Sequence, residues 1–471
     1  MKIAFMFLTM LATLALQACS PYSNERRTGG ESAATLEVPS SQANYSAEAK
    51  RLEPLAAHGD ADAEFRLGRM YDFGQGLTRD VDKVAALYGA SAAQGNSDGE
   101  NGLGACYEAG TGVPADLDQA IALYRKSANQ GNAKGEYNLG RKYEHGSGVP
   151  LDYGEAAKWF KQSAAQGNAS AEYGLGLMYD SGFGVEQNNA LALKWYLAAA
   201  EQGNDFAENN LGLMYDNGQG VPQDMKKAMT WYRKSAAQGN ANAMNNLANI
   251  YRYDGSVQAV DYGQALAWYA KSAALDNAVG ENSLGELYEQ SLGVPKDLPR
   301  AIALYRSAAA QDDSAAETNL GRLYQKGLGL DKDCVQAIGW YQAAIKQDSA
   351  EAENGLAMLY SGGECLPKDN VSAENLFRMA VAKSNGDAML NLAALYFDGT
   401  NRPSDRAAAY ALAYVAARLK DTPPNAASIR DRMRQKLSPL QLKTAQSLID
   451  AMAHQGPLAV LDARPSSMVA P

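Results

Sequence analysis

The chain has 471 residues, 46% hydrophobic and 20% charged, which excludes composition-driven disorder and collagen and leaves room for about three ordinary domains or one long repeat array. Asp plus Glu outnumber Lys plus Arg by 53 to 43, a net charge of −10, and such an acidic surface argues against a nucleic-acid groove and points to protein partners. The 3 histidines, His58, His145 and His454, lie in widely separated segments, so neither a histidine-rich metal site nor a Ser-His-Asp relay has much to build from. The composition therefore reads as a non-enzyme with no metal, cofactor or small-molecule substrate.

In chain order, the first feature is an apolar run from Ile3 to Leu16, preceded by Lys2. At 14 residues it is too short for a permanent bilayer span and suits a secretory signal. Small Ala18 followed by Cys19 resembles a bacterial lipobox. The resemblance implies that residues 1–18 are a signal peptide, that the chain is cut before Cys19, and that the Cys19 thiol and new amine are acylated; three acyl chains anchor far more firmly than one. Ser20 stands where Asp commonly retains such lipoproteins at the inner membrane, so the implied address is the outer membrane, facing the periplasm. The alternative is an ordinary cleaved signal with a chance cysteine. Residues 19–45 are rich in Ser, Gly, Asn, Glu and Pro and read as a flexible tether of roughly 25–30 Å root-mean-square span.

From there an internal period takes over. One tyrosine recurs at Tyr71, Tyr107, Tyr143, Tyr179, Tyr215, Tyr251, Tyr288, Tyr324, Tyr360 and Tyr396, at steps of 36 residues with one of 37. A second aromatic keeps the same phase at Tyr88, Tyr124, Phe160, Tyr196, Tyr232, Tyr269, Tyr305, Tyr341 and Phe377. Residues 133–168 show the unit. Leu139 and Tyr143 share one helical face; Gly146 and Gly148 end the first helix, Pro150 forbids its continuation, and Asp152 caps the second. Gly167 stops the second helix and Asn168 starts the next unit. A slot after the conserved-phase leucine holds Gly68, Gly104, Gly140, Gly176, Gly212, Ala248, Gly285, Gly321, Ala357 and Ala393. Glycine inside a helix costs about 1 kcal/mol against alanine, so its repetition marks close helix–helix approach. A lone hairpin cannot bury its apolar face, whereas stacked hairpins share one core.

The Leu-Gly-x-x-Tyr element resembles tetratricopeptide repeats, and the longer period with its Gly-x-Gly-Val-Pro loop is similar to the Sel1-like subclass. The implied fold is all-α: a right-handed superhelical solenoid of about ten such hairpins over residues 46–420, with the first helices lining its concave face. Residues 421–455, carrying Met433, Leu437, Leu440, Leu442, Leu448, Ile449 and Met452, read as a capping helix, and 456–471 as a disordered tail.

Several recurring residues invite chemistry. Trp159, Trp195, Trp231, Trp268 and Trp340 each precede the second aromatic, which marks a core slot and not a sugar platform. Glu100, Glu136, Glu172, Glu208, Glu281, Glu317 and Glu353 fall in the first turn of first helices, where they favour the helix dipole and are too dispersed for paired-carboxylate catalysis. Asn101, Asn138, Asn209, Asn210, Asn246, Asn282, Asn319, Asn354 and Asn391 sit inside first helices, where asparagine is a poor former. They are either an amide ladder gripping an extended partner backbone or bridges to the neighbouring repeat. Cys106 reads as a buried thiol, while Cys334 and Cys365 lie on one edge of the stack, close enough in repeat register for a disulfide to be considered. The loop from Arg252 to Asp261 carries the extra residue, and beyond it the unit-ending glycine becomes Asp276, Asp312, Asp348 and Ser384. Two sub-arrays, or drift in a tolerant loop, would both explain this.

Lipobox, tether, repeats and length together resemble the outer-membrane lipoprotein family of the alginate biosynthesis and secretion machinery (AlgK type). The resemblance implies a scaffold that links an outer-membrane β-barrel polysaccharide exporter to periplasmic and inner-membrane synthase subunits, attached to the membrane by its lipid. Two rivals are a Sel1-like lipoprotein serving another envelope complex (another polysaccharide exporter, a pilus or secretion) and an enzyme acting on polysaccharide or peptidoglycan.

Overall fold

The computed structural model describes residues 42–253, 259–398, 405–419 and 422–463. All regular structure among these residues is helical. Helices pair into hairpins; in the third, Ala133–His145 is followed by Tyr153–Ala165. The local chemistry is the one the sequence spells out. Asn132 caps the first helix by accepting the Lys134 and Gly135 N–H groups at 3.0 Å each. Gly146 closes it at φ 62°, a left-handed conformation glycine adopts without steric cost. Asp152 then accepts the Glu155 N–H at 3.0 Å, while its own N–H donates to the Tyr143 carbonyl at 3.0 Å. The recurring tyrosine thus fixes the loop through its backbone.

Second-helix aromatics form the deepest core: Tyr88, Tyr124, Tyr196, Tyr232 and Tyr305 have no exposed surface. Each faces the small-residue slot. A Cβ built on Gly140 would stand 2.7 Å from the Phe160 ring, and one on Gly212 2.4 Å from Tyr232, closer than packed atoms allow. The tryptophans occupy a different place from the one expected. They are half-buried: Trp159, Trp195 and Trp231 pack at the margin of neighbouring clusters, and lysines such as Lys234 (4.2 Å from the Trp231 ring centre) lie over them. Each tryptophan stands one residue before the aromatic that fills the small-residue gap, so the helix turns it about 100° away from that gap.

The chain divides into two compact units, with the change-over at Ile250/Tyr251, next to the loop that carries the extra residue. In the first unit, a helix over Gln42–Ala57 precedes the first hairpin, so helical structure begins earlier than the expected end of the tether at 45. Its Ala49, Leu52 and Ala56 are buried against that hairpin, and Ser46 Oγ donates to the Gly76 carbonyl at 3.0 Å. In the second unit, the last repeat helix, Arg406–Ala416, is almost wholly buried. Three helices, not one, cover it and its neighbours: Ala426–Arg434, Pro439–Gln455 and Pro457–Asp462. The boundary expected at 456 is therefore corrected, because Val460 and Leu461 are buried and Asp462 pairs with Arg378; residues 464–471 lie outside the described residues. No helix among the described residues is long and apolar enough to cross a membrane.

Candidate functional site: the face lined by first helices

The recurring glutamates are 0–6% exposed where they occur, and each is engaged within its own hairpin. The amide of a glutamine at the end of the second helix donates to the carboxylate: Gln130 to Glu100 at 2.7 Å, Gln166 to Glu136, Gln202 to Glu172 and Gln347 to Glu317 at 2.8 Å, Gln311 to Glu281 at 2.9 Å. In the ninth hairpin Lys383 takes the glutamine's place at 2.7 Å from Glu353. Burial raises the carboxyl pKa of Glu100, Glu136, Glu172 and Glu208, and that of Glu317 to about 7, where Asp312 and Asp313 add to the effect. The hairpin-closing bond, beyond the helix dipole, is what these carboxylates do. Its partner was legible, since the two repeats that carry Met244 and Met389 instead of glutamate also carry Leu275 and Leu419 instead of glutamine.

The asparagines pair across repeat boundaries. Asn138 donates to Asn101 at 2.8 Å, Asn246 to Asn209 and Asn319 to Asn282 at 3.0 Å, and Asn391 to Asn354 at 2.9 Å. Asn210 accepts from Asn209 at 3.4 Å and hydrogen-bonds the Tyr173 hydroxyl. These amides hold neighbouring repeats together, the second of the two readings open from the sequence. Their placement follows a pair rule between the fifth residue of one first helix and the sixth of the next. Phe65 and Tyr137, fifth residues whose rings lie against their own second helix (Phe65 on Tyr88 at 5.6 Å, Tyr137 on Phe160 at 5.7 Å), are followed at the sixth place of the next repeat by Gly102 and Gly174, whereas Tyr173, 6.0 Å from Tyr196, is followed by Asn210. A Cβ on Gly102 would lie 3.0 Å from the Tyr88 ring.

Charged groups cross boundaries in the same way. Glu289 accepts both Arg322 nitrogens, at 2.7 and 2.6 Å, and the Tyr305 hydroxyl at 2.8 Å, and Arg252 pairs with Glu286 at 2.8 Å. In the third repeat the pattern changes. Glu108 is taken by the buried Lys142 and by Tyr124 at 2.7 Å, so Arg141, the counterpart of Arg322, is left with the Tyr137 hydroxyl. Glu144 stands where other repeats bond a tyrosine hydroxyl, but its repeat has Phe160; burial lifts its carboxyl to about 7, with Arg141 opposing, and burial with Arg141 beside it lowers His145 to about 4.

Cys334 and Cys365 are joined as a disulfide across 5.3 Å between Cα atoms, tying the eighth hairpin's second helix to the ninth hairpin's loop. Cys106 is a buried thiol pushed up to about 12 by burial and Asp72, hence unreactive. Cys19 lies outside the described residues. No group of three or more metal-ligating side chains occurs among the described residues.

Comparison with known proteins agrees with this arrangement. The model of the Sel1 repeat family matches ten times in succession, at 61–96, 97–132, 133–168, 169–204, 205–240, 241–277, 278–313, 314–349, 350–385 and 386–421. Among solved structures, a protective antigen of uropathogenic Escherichia coli with the same repeat fold is 30% identical, covering 90% of this chain and 99% of its own, at a TM-score of 0.53. A Sel1 repeat protein from Oxalobacter formigenes is also 30% identical, over 61% of this chain and 83% of its own, at a TM-score of 0.47. No curated protein matches. With ten consecutive matches and the glycine slot, hairpin bonds and loop glycines in place, the chain belongs to the Sel1 repeat family.

Proposed function

We propose that this Sel1 repeat protein is a non-catalytic scaffold for exopolysaccharide export, of the alginate type, held by a lipid on Cys19 at the periplasmic side of the outer membrane. Its work is positional: the anchor fixes it near an outer-membrane β-barrel exporter, and the repeats recruit periplasmic and inner-membrane synthase subunits. The observation that carries the scaffold reading is that the recurring acids and amides close the fold itself, so what the repeats offer is surface for recognition. A net charge of −10 disfavours direct binding of a polyanionic polymer and favours protein partners. In-cell cross-linking of the tagged chain, with outer-membrane isolation and mass spectrometry, should recover an exporter barrel and synthase subunits, and deletion should block export while synthase chemistry continues. Normal export after a clean deletion overturns the polymer role. Cys19→Ala should release the folded chain from the membrane fraction. A second reading, a scaffold for a different envelope assembly, draws on the Escherichia coli relative, which is described as a protective antigen; recovery of another assembly would select it.

A further inference from the structure

We propose that the first-helix face of repeats 1–3 is a docking site for an acidic, extended segment of a partner protein, with Arg69 and Arg141 as its carboxylate-binding groups. The inference rests on the scaffold reading and adds the chemistry of what is bound. On this face helical spacing makes three rows: Arg66, Arg69 and Phe73 on Ala61–Phe73; Gly102, Ala105 and Ala109 on Ser97–Ala109; Asn138, Arg141 and His145 on Ala133–His145. The middle row has no side chain larger than methyl, so nothing rises between the two arginine-bearing helices.

Both arginines are half-buried, and among the described residues no carboxylate oxygen lies within 4.0 Å of either guanidinium. Arg69 lies near two rings, 6.0 Å from Phe65 and 5.8 Å from Phe73; Arg141 touches the Tyr137 hydroxyl. The contrast with Arg322, whose fork is filled by Glu289 in the same register, identifies an unfilled carboxylate position.

The surrounding acids are already accounted for. Glu108 is held by Lys142 and Tyr124, Asp72 faces Arg79 at 3.9 Å, Asp62 and Glu48 face Arg66 at 3.8 and 2.6 Å, and Asp98 accepts the Asn132 amide at 2.9 Å. Glu144 is half-buried; burial lifts its carboxyl to about 7 with Arg141 opposing, so it is partly ionised at neutrality and acts on Arg141 from beyond ion-pair distance, while His145 is neutral there. The two free guanidiniums therefore dominate a local patch on an otherwise acidic chain, and a bidentate carboxylate is the group their planar forks match. Beyond Arg141 the same row continues as half-buried Leu177 and Leu213, an apolar continuation that suits a peptide's side chains better than a hydroxyl-rich sugar.

The test is fluorescence anisotropy of the full chain in detergent with a labelled dodecapeptide of alternating Asp and Leu, beside its Asn-Leu counterpart. The acidic peptide should bind in a salt-sensitive way and weaken about tenfold on Arg141→Gln or Arg69→Gln. Arg322→Gln, which opens an internal pair, should leave binding unchanged. Unfolding curves of the variants separate loss of binding from loss of fold. Equal binding of both peptides, indifference to both arginine variants, or binding of a uronate oligosaccharide in place of the peptide overturns the proposal. Failure with the peptide while cross-linking still captures envelope proteins sinks this site and spares the scaffold; failure of both sinks the scaffold with it.

Discussion

The two units build one hairpin with different residues. In repeats 1–5 the second helix ends at Gly95, Gly131, Gly167, Gly203 and Gly239, all at positive φ. In repeats 6–9 the same place is filled by Asp276, Asp312, Asp348 and Ser384 at φ 54–68°. The second unit thus carries a backbone strain of roughly 1 kcal/mol at each such residue that the first unit avoids. The second unit also holds the disulfide, the Arg322–Glu289 fork and the Lys383–Glu353 pair, cross-links that offset strained turns. The difference teaches that this array keeps one hairpin backbone while the source of its stability varies from repeat to repeat.

Substitutions can press on this contrast. The largest effect is expected at the slot common to both units: Gly212→Leu, where even a Cβ meets Tyr232 at 2.4 Å, should cost about 3 kcal/mol or prevent folding. Urea unfolding would show it, and a variant as stable as the wild type would refute the packing account of the glycine. Removing the disulfide by Cys334→Ser with Cys365→Ser, which opens a separation of 31 residues, should cost about 3 kcal/mol. The loss should be confined to the second unit, with new proteolytic cuts in repeats 8 and 9 and none in repeats 1–5. Cuts in both units would show that the bond stabilises the chain as a whole.

Asn138→Ala leaves the buried Asn101 oxygen without its donor and should cost about 1–2 kcal/mol. The double variant Asn101→Ala with Asn138→Ala should be less harmful than two independent losses, and strict additivity in the cycle would deny the pair. At the helix ends, Asp312→Gly should gain and Gly131→Asp should lose about 0.5–1 kcal/mol; equal responses would erase the difference between units. The smallest effect is electrostatic. Because burial raises Glu317 to about 7, the folded chain takes up a proton between the ordinary carboxylate pKa and pH 7, so its contribution is full in acid and lost as pH rises through 7. Glu317→Gln should therefore raise Tm at pH 8, on the order of 1 °C, and hardly at all at pH 4. A shift of the same size at both values would assign the effect to packing.

What could be read from the sequence was whatever repeats in phase. The tyrosines, the glycine slot and the caps recur at one interval, and the hairpins lie where that interval sets them. The asparagine bonds were hidden because they join the fifth residue of one repeat to the sixth of the next, 37 residues apart, out of step with the period that a repeat search looks for. The tryptophans, read as a core slot, lie half-buried at its margin for a related reason: periodicity shows that a slot is constrained, not how deeply the helix turns it in. Arg141 gave no signal by itself, since its isolation follows from Lys142 having taken Glu108, a competition between adjacent side chains that spacing does not reveal. The covering helix beyond 456 lacks the period altogether, and only burial of Val460 and Leu461 exposes it.

The pair rule at repeat boundaries bears on how such a gene can lengthen or shorten. Excising residues 169–204 would bring Tyr137 to Asn210, recreating the hydroxyl-to-amide contact that Tyr173 makes there now. Excising 133–168 would instead set Asn101 against Gly174, a combination found at no boundary of the array, with a buried amide oxygen deprived of its donor. The two excisions thus differ through two residues at the new junction, one restoring a pair the array already holds and the other creating a pair it does not.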